Sequence, residues 1–183
     1  LAVNYKADMI RDYFGDGAQL GIDIRYVQER ERMGTAGALS LLPKRPTEPF
    51  LVMNGDVLTA LDFTRLLDHH EASGAAATIA VREYTTQIPF GVVEASGGTV
   101  TRLVEKPAFT HHVSAGIYVL NPTCLDHVDP GEPLDMPNLL RRVVKSGRAV
   151  TVHEVHEYWR DVGRPNDLEA AHAEYPEHFG SSA

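Results

Sequence analysis

With 183 residues, 43% of them hydrophobic, the chain can bury a core of its own, and 23% charged with 8% aromatic residues excludes a disordered polymer. A net charge of −8 without any Lys/Arg cluster argues against a nucleic-acid partner, whose phosphates need a concentrated basic surface. No apolar run approaches the ~20 residues that span a bilayer, no signal peptide precedes the first strand, and the single cysteine, Cys124, excludes an internal disulfide and points to a reducing, cytoplasmic setting.

Leu1 to Tyr5 reads as the end of a strand. Met9, Ile10, Tyr13 and Phe14 then share one helical face between Lys6 and Phe14, and Gly15-Asp16-Gly17 stops the helix. Alternation of Ile22, Ile24 and Tyr26 with Asp23 and Arg25 predicts a strand over 21–28. Gly34 to Leu42 is a short Gly/Ala-rich helix closed by Pro43. The continuous apolar run Phe50 to Met53 predicts a fully buried strand of a parallel sheet, ending in Asn54-Gly55-Asp56. Asp62 caps a helix whose Phe63, Leu66, Leu67 and His70 recur at helical spacing, and Gly74 ends it.

A strand follows over 76–82, and 91–95 with 99–105 flank Ser96-Gly97-Gly98 as a hairpin. Residues 115–120 form a further strand. Cys124, just after Asn121-Pro122-Thr123, reads as a small buried apolar residue rather than a nucleophile. Pro137 starts a helix with Leu139, Leu140, Val143 and Val144 as its buried stripe. Residues 150–155 are a strand, and Asn166 with Glu169 forms a capping box for a last helix. Strands alternating with helices predict a doubly wound, mainly parallel, Rossmann-like α/β sheet with a β-hairpin insertion, one domain over residues 1–183.

Ligands of open α/β sheets bind at the carboxyl ends of strands. Three groups fall there. Asp56, beside a Gly55 that lets backbone come close, either helps to hold a Mg²⁺ or caps the next turn. Asp161, in Trp159-Arg160-Asp161-Val162-Gly163, is either a second metal carboxylate or part of a surface loop. Glu105-Lys106-Pro107 offers a phosphate-binding cation and a hydroxyl acceptor, or a solvated ion pair. Gly34-Thr35-Ala36-Gly37 could cradle a base or phosphate, or pack a helix closely; it is neither a GxGxxG fingerprint nor a Walker A loop. Pro89-Phe90-Gly91-Val92-Val93 is open to two readings, backbone presented to a sugar or a plain strand entry. The histidine pairs 69–70 and 111–112, with His153 and His156, lack metal-ligand spacing and read as packed or solvated.

In order, Gln28-Glu29, Met33-Gly34-Thr35-Ala36-Gly37-Ala38-Leu39, Asn54-Gly55-Asp56, Pro89-Phe90-Gly91-Val92-Val93, Glu105-Lys106-Pro107, Ser114-Ala115-Gly116-Ile117-Tyr118-Val119 and Trp159-Arg160-Asp161-Val162-Gly163-Arg164-Pro165 resemble the sugar-phosphate nucleotidyltransferase family, nearest its mannose-1-phosphate guanylyltransferase-like branch. The resemblance covers essentially the whole chain and implies the nucleotide-diphospho-sugar transferase fold. It implies an enzyme in which a sugar 1-phosphate attacks the α-phosphorus of a nucleoside triphosphate and expels pyrophosphate. Asp56, Lys106 and Asp161 would be catalytic, with Mg²⁺ on Asp56 and Asp161. Glu29, Gly34, Thr35, Gly37 and Gly55 would surround the nucleotide, and Gly91, Glu105, Ser114 and Gly116 the sugar. A homo-oligomer is compatible with the sequence, which does not fix the state.

Two departures from the family pattern stand out. The glycine-rich first loop and its Pro-Lys-Pro, which embrace the departing pyrophosphate, precede the motifs above and are missing from the sequence. The expectation is therefore a nucleotidyltransferase domain truncated at its N-terminus, the natural protein carrying an upstream strand and loop. Ser114 also stands where the family commonly has Asn. The alternative function is an inactive, sugar-nucleotide-binding regulatory subunit. A glycosyltransferase is disfavoured because Asn54-Gly55-Asp56 is not an Asp-x-Asp metal motif.

Overall fold

A computed structural model describes residues 1–180. It begins with β1 (Ala2–Val3), α1 (Ala7–Phe14) and β2 (Val27–Gln28), β1 and β2 pairing in parallel with Ala2 opposite Val27. The strand expected over 21–28 is confined to its last two residues. Ahead of them the chain turns back on the end of α1, where Ile24 N–H donates to the Asp16 carbonyl at 2.8 Å and Ile22 N–H to Gly17 at 3.2 Å. Those bonds satisfy the backbone locally, so the alternation of Ile22 and Ile24 has no partner strand to serve.

Next come α2 (Gly34–Gly37), continued by a 3₁₀ turn to Leu41, then β3 (Phe50–Met53), β4 (Val57–Thr59) and α3 (Phe63–Ser73). β5 (Ala77–Gln87) is followed by the hairpin β6 (Val92–Ser96) and β7 (Thr99–Val104), then β8 (Ala108–Leu120). α4 (Met136–Lys145), β9 (Val150–Glu154), β10 (Trp159–Asp161) and α5 (Pro165–Phe179) complete it. No helix among the described residues is long and apolar enough to cross a membrane.

The main sheet has the order β3-β8-β5-β9. Ala76 N–H donates to Ala149 and Val155 N–H to Val81, so β5 and β9 run in parallel. Asn121 donating to Ala76, with Thr110 against Thr85, makes β8 antiparallel to β5. The protein is thus α/β with a mainly parallel central sheet in which β8 runs against β5. β3 ends the sheet as an edge strand, and its burial alternates, Leu51 and Met53 being over a third exposed. The fully buried strand expected there is corrected: an apolar run at an edge needs only one face covered.

The described residues form two compact units: Leu1–Asn54, Thr64–Thr78 and Tyr118–Thr151, and Gly55–Phe63, Ile79–Ile117 and Val152 onward. The core of the first takes Leu66 from α3, Val119 and Leu120 from β8, and Met136, Leu139 and Val143 from α4, all fully buried. Each such side chain contributes about 1.5–3 kcal/mol on burial. Val144, expected in that stripe, is exposed. His70 is buried among them with one ring nitrogen 2.8 Å from the Thr78 hydroxyl and the other 3.3 Å from Asn121 Oδ1, a packed histidine as expected. Cys124 is also fully buried; its thiol donates to the Ala76 carbonyl at 3.1 Å, and burial pushes its pKa up, which makes it inert.

In the second unit, Ser96 pairs with Thr99 across Gly97-Gly98, whose φ values of 58° and 82° are the left-handed pair a two-residue hairpin turn needs. Ala80, Val81, Ala115, Ile117, Val155 and Ala171 are buried here. α5 starts at Pro165, with Arg164 as its N-cap residue and no side-chain cap. The capping box expected at Asn166 and Glu169 is therefore not formed: proline at the first helical position presets the start one residue earlier.

Candidate functional site

Residues 159–161, read from sequence as part of a loop, form a strand. Val57-Leu58-Thr59 supplies an extended, half-buried partner, and the two short strands pair antiparallel with Trp159 opposite Thr59, Arg160 opposite Leu58 and Asp161 opposite Val57. The ladder continues past both ends. Ala60 N–H donates to Tyr158 at 2.9 Å, the Thr59 hydroxyl to the same carbonyl at 2.8 Å, and Val162 N–H to Asp56 at 2.8 Å. Trp159 donates its indole N–H to the Ala115 carbonyl at 2.8 Å, fixing β10 against β8.

This register brings Asp56 and Asp161, over a hundred residues apart in sequence, to one corner. The two carboxylates converge at Gly163. A methyl group there would sit 3.0 Å from Asp161 Oδ1 and 3.6 Å from Asp56 Oδ2. Gly163 N–H also donates to Asp161 Oδ1 at 2.9 Å, which holds that carboxylate in place. Both line an open cleft of about 630 Å³, together with Arg82, Tyr84, Val113 and Arg164.

Arg160 of β10 and Tyr158, the residue just before the strand, anchor it to α5. Arg160 forks onto Glu174 with bonds of 3.0 and 2.5 Å, and the Tyr158 hydroxyl donates to the same carboxylate at 2.7 Å. The Tyr158 ring stacks on His178 with centroids 4.1 Å apart. Donation from Tyr158, then from Arg160, holds Glu174 below the usual carboxylate range. A depressed carboxylate stabilises the fold above its unfolded pKa and loses that contribution as pH falls through the folded value. Glu174→Gln is expected to melt below the parent at neutral pH, with the gap closing as the medium is acidified past the Glu174 pKa. Thermal melts across pH check this, and a gap independent of pH would overturn the assignment.

Of the other expected site residues of this unit, Gly91 meets Glu105 and Ser114 meets Gly116. A Cβ on Gly91 would lie 3.0 Å from Glu105 Oε2, so that carboxylate rests against the glycine backbone. Lys106 adopts a left-handed φ of 44° in the turn after β7, which is unusual for a residue with a side chain, and its carbonyl accepts from Gln87 at 3.3 Å. The Ser114 hydroxyl accepts from Gly116 N–H at 3.2 Å. Around Gly55 an added methyl would meet nothing within 4 Å, so backbone there is open to approach. None of Gly91, Glu105, Lys106, Ser114 and Gly116 lines the Asp56–Asp161 cleft.

Glu29, Gly34, Thr35 and Gly37 belong to the first unit. There the glycines face protein. A Cβ on Gly34 would lie 2.6 Å from Asp135 Oδ1 and 2.7 Å from the Leu134 carbonyl, and one on Gly37 2.8 Å from the Glu132 carbonyl. Ala36 and Gly37 donate their N–H groups to Leu134, and the Thr35 hydroxyl accepts from Met136 N–H at 2.8 Å, capping α4 from a distance. Glu29 accepts from Met33 N–H at 3.2 Å. Close packing is thus one role of the Gly-Thr-Ala-Gly run. Arg82, Tyr84 and Arg164 are cleft residues that sequence reasoning did not single out. The available signal was a charge, Arg82, directly after the mostly apolar run from Ala75 to Val81.

The family model described as Nucleotidyl transferase matches residues 1–178. The chain is 34% identical over 176 residues to probable mannose-1-phosphate guanylyltransferase 2 of Oryza sativa subsp. japonica, covering 91% of this chain and 48% of that protein. It is 32% identical over 175 residues to mannose-1-phosphate guanylyltransferase catalytic subunit beta of Dictyostelium discoideum, covering 92% and 48%. The chain spans about half the length of the curated relatives it matches. Among solved structures, it superposes with a TM-score of 0.70 and 20% identity on a putative glucose-1-phosphate thymidylyltransferase from Bacillus anthracis, covering 94% of this chain and 73% of that one, a likeness of fold. On the span of the family match and the identity to these relatives, the chain belongs to the nucleotidyl transferase family.

Proposed function

We propose that this chain carries the metal-holding and sugar-binding part of a cytoplasmic sugar-1-phosphate nucleotidyltransferase, with mannose 1-phosphate and GTP as the leading substrate pair. The observation that carries the proposal is the convergence of Asp56 and Asp161 on Gly163. Two carboxylates at one point, with room beside them, fit Mg²⁺, a hard cation that takes one or two carboxylates and leaves its other positions to water and phosphate oxygens. The donors are all oxygen, and among the described residues no His, Cys or further acid completes a three-residue cluster that would favour another metal. Bound there, the ion would neutralise phosphate charge.

The reaction is a displacement: an oxygen of the sugar 1-phosphate bonds to the α-phosphorus of the triphosphate, and the bond to the β-phosphate breaks, releasing pyrophosphate. The protein's share is positioning and charge neutralisation. Lys106, placed by its left-handed turn, would meet the sugar phosphate. Glu105, held against Gly91, would accept from sugar hydroxyls, beside Ser114 and Gly116. Gly55 would let the nucleotide approach the backbone, with Glu29, Gly34, Thr35 and Gly37 as the remaining nucleotide contacts. The matched relatives carry names of guanylyltransferases, one of them a catalytic subunit, which favours an active enzyme over a binding-only subunit. The lone, free and buried Cys124 suits a reducing compartment.

A grid of nucleoside triphosphates against sugar 1-phosphates tests the reading. Mg²⁺-dependent pyrophosphate release is expected to be greatest with GTP and mannose 1-phosphate. No release with any pair would refute the activity, and a maximum elsewhere in the grid would reassign the substrates.

A further inference from the structure

The cleft that holds Asp56 and Asp161 is lined by three arginines, Arg82, Arg160 and Arg164. Their states differ. Arg160 is spent on Glu174, with both bonds of its fork in use. Arg82 gives one donor to the Glu157 carbonyl at 3.0 Å, a neutral partner, and a guanidinium has five donors. Arg164 makes no hydrogen bond or ion pair through its side chain among the described residues, although Asp56, Glu83, Asp161 and Asp167 line the same cleft.

The backbone of Arg164 is nevertheless fixed. It follows Gly163, where the carboxylates meet, and its carbonyl accepts from Asp167 and Leu168 at 3.0 and 3.1 Å as α5 begins. The side chain is held at its root and free at its head. A cation bound by Asp56 and Asp161 would consume their charge, leaving Arg82 and Arg164 as uncommitted cations facing the same space. Planar guanidinium forks match phosphate oxygens, and a long side chain reaches them without moving the backbone.

We propose that Arg82 and Arg164 form a clamp for a phosphoryl group in this cleft, that of the sugar 1-phosphate or the α-phosphate of the nucleotide. This deepens the function proposed above and rests on it for the identity of the substrates. Lys106 lies outside the cleft, so the clamp is a separate anion contact. Its place beside the acid pair also explains two guanidiniums in a protein of net charge −8 that leave nearby carboxylates unpaired.

The test uses Arg82→Ala, Arg164→Ala and Arg164→Lys, with titration calorimetry of mannose 1-phosphate, mannose and GTP in Mg²⁺, and steady-state KM for each substrate. Each alanine variant is expected to weaken one phosphorylated ligand about 10- to 100-fold, the loss of a charge-assisted bond. Mannose affinity should stay unchanged. Tm should hold for both Arg164 variants and fall only slightly for Arg82→Ala, which loses its bond to the Glu157 carbonyl, and Arg164→Lys should restore part of the loss. Loss confined to mannose 1-phosphate places the sugar phosphate in the clamp; loss confined to GTP places the α-phosphate there. Affinities within twofold of the parent for both phosphorylated ligands overturn the clamp, as does a parent protein whose binding does not depend on phosphate. A parent that binds mannose 1-phosphate yet releases no pyrophosphate refutes the proposed activity alone, because the titrations still score the clamp.

Discussion

Asp161→Asn is expected to cut pyrophosphate release about 10²- to 10³-fold while leaving the fold intact. A metal's charge stabilisation of a transition state is worth several kcal/mol, and each ~1.4 kcal/mol is tenfold in rate. The fold survives because Asn keeps an oxygen in the place of Asp161 Oδ1, which accepts from Gly163 N–H at 2.9 Å, and because the pairing of Asp161 with Val57 uses backbone alone. What is lost is one of the two negative charges that meet at Gly163. The measurement is kcat at saturating Mg²⁺, with thermal melts as control. Turnover at the parental rate would remove Asp161 from the site. A Tm drop matching the activity loss would make it structural. Asp56→Asn should behave the same way, and the double variant should cost little more than either alone, since both carboxylates act as one unit on one ion.

How legible this corner was in sequence follows from the kind of interaction each part uses. Local signals carried far. The Gly97-Gly98 turn between two alternating segments gave the hairpin, because two left-handed positions in a row are accessible almost only to glycine. α3 and α4 were visible from apolar spacing. Asp56 was visible as the acid after an apolar strand. What sequence could not show was the pairing of β4 with β10. Each is three residues long, too short for any periodicity, and each is stabilised by the other across about a hundred residues. That pairing converts two unremarkable loop acids into neighbours. The same blindness applies to Glu174, which sits on α5 like any solvated helix residue until Tyr158 and Arg160 close on it. The resemblance to the family named Asp161 in advance; only the register explains why it stands beside Asp56.

The Gly34 position is where structural and nucleotide roles can be separated by experiment. Its φ of +71° costs a residue with a Cβ about 1–2 kcal/mol, and the added methyl would collide at 2.7 Å with the Leu134 carbonyl, a backbone atom that cannot rotate away. Gly34→Ala is therefore expected to lose about 2–4 kcal/mol, lowering Tm by roughly 5–15 °C for a chain of this size. Asp135→Ala in the same background removes the 2.6 Å side-chain clash but also the bond that Asp135 Oδ1 accepts from Thr35 N–H at 3.3 Å, so it should recover at most part of the loss. Gly55→Ala is the contrast: with nothing within 4 Å and no positive φ, it should melt close to the parent, and any effect should fall on nucleotide KM. A Gly34→Ala protein that melts like the parent but binds GTP poorly would reverse the assignment, making the short helix α2 a ligand cradle. A protein that melts early and binds GTP normally below its Tm would show that this glycine serves the approach of α2 to the start of α4, and that the nucleotide is read elsewhere.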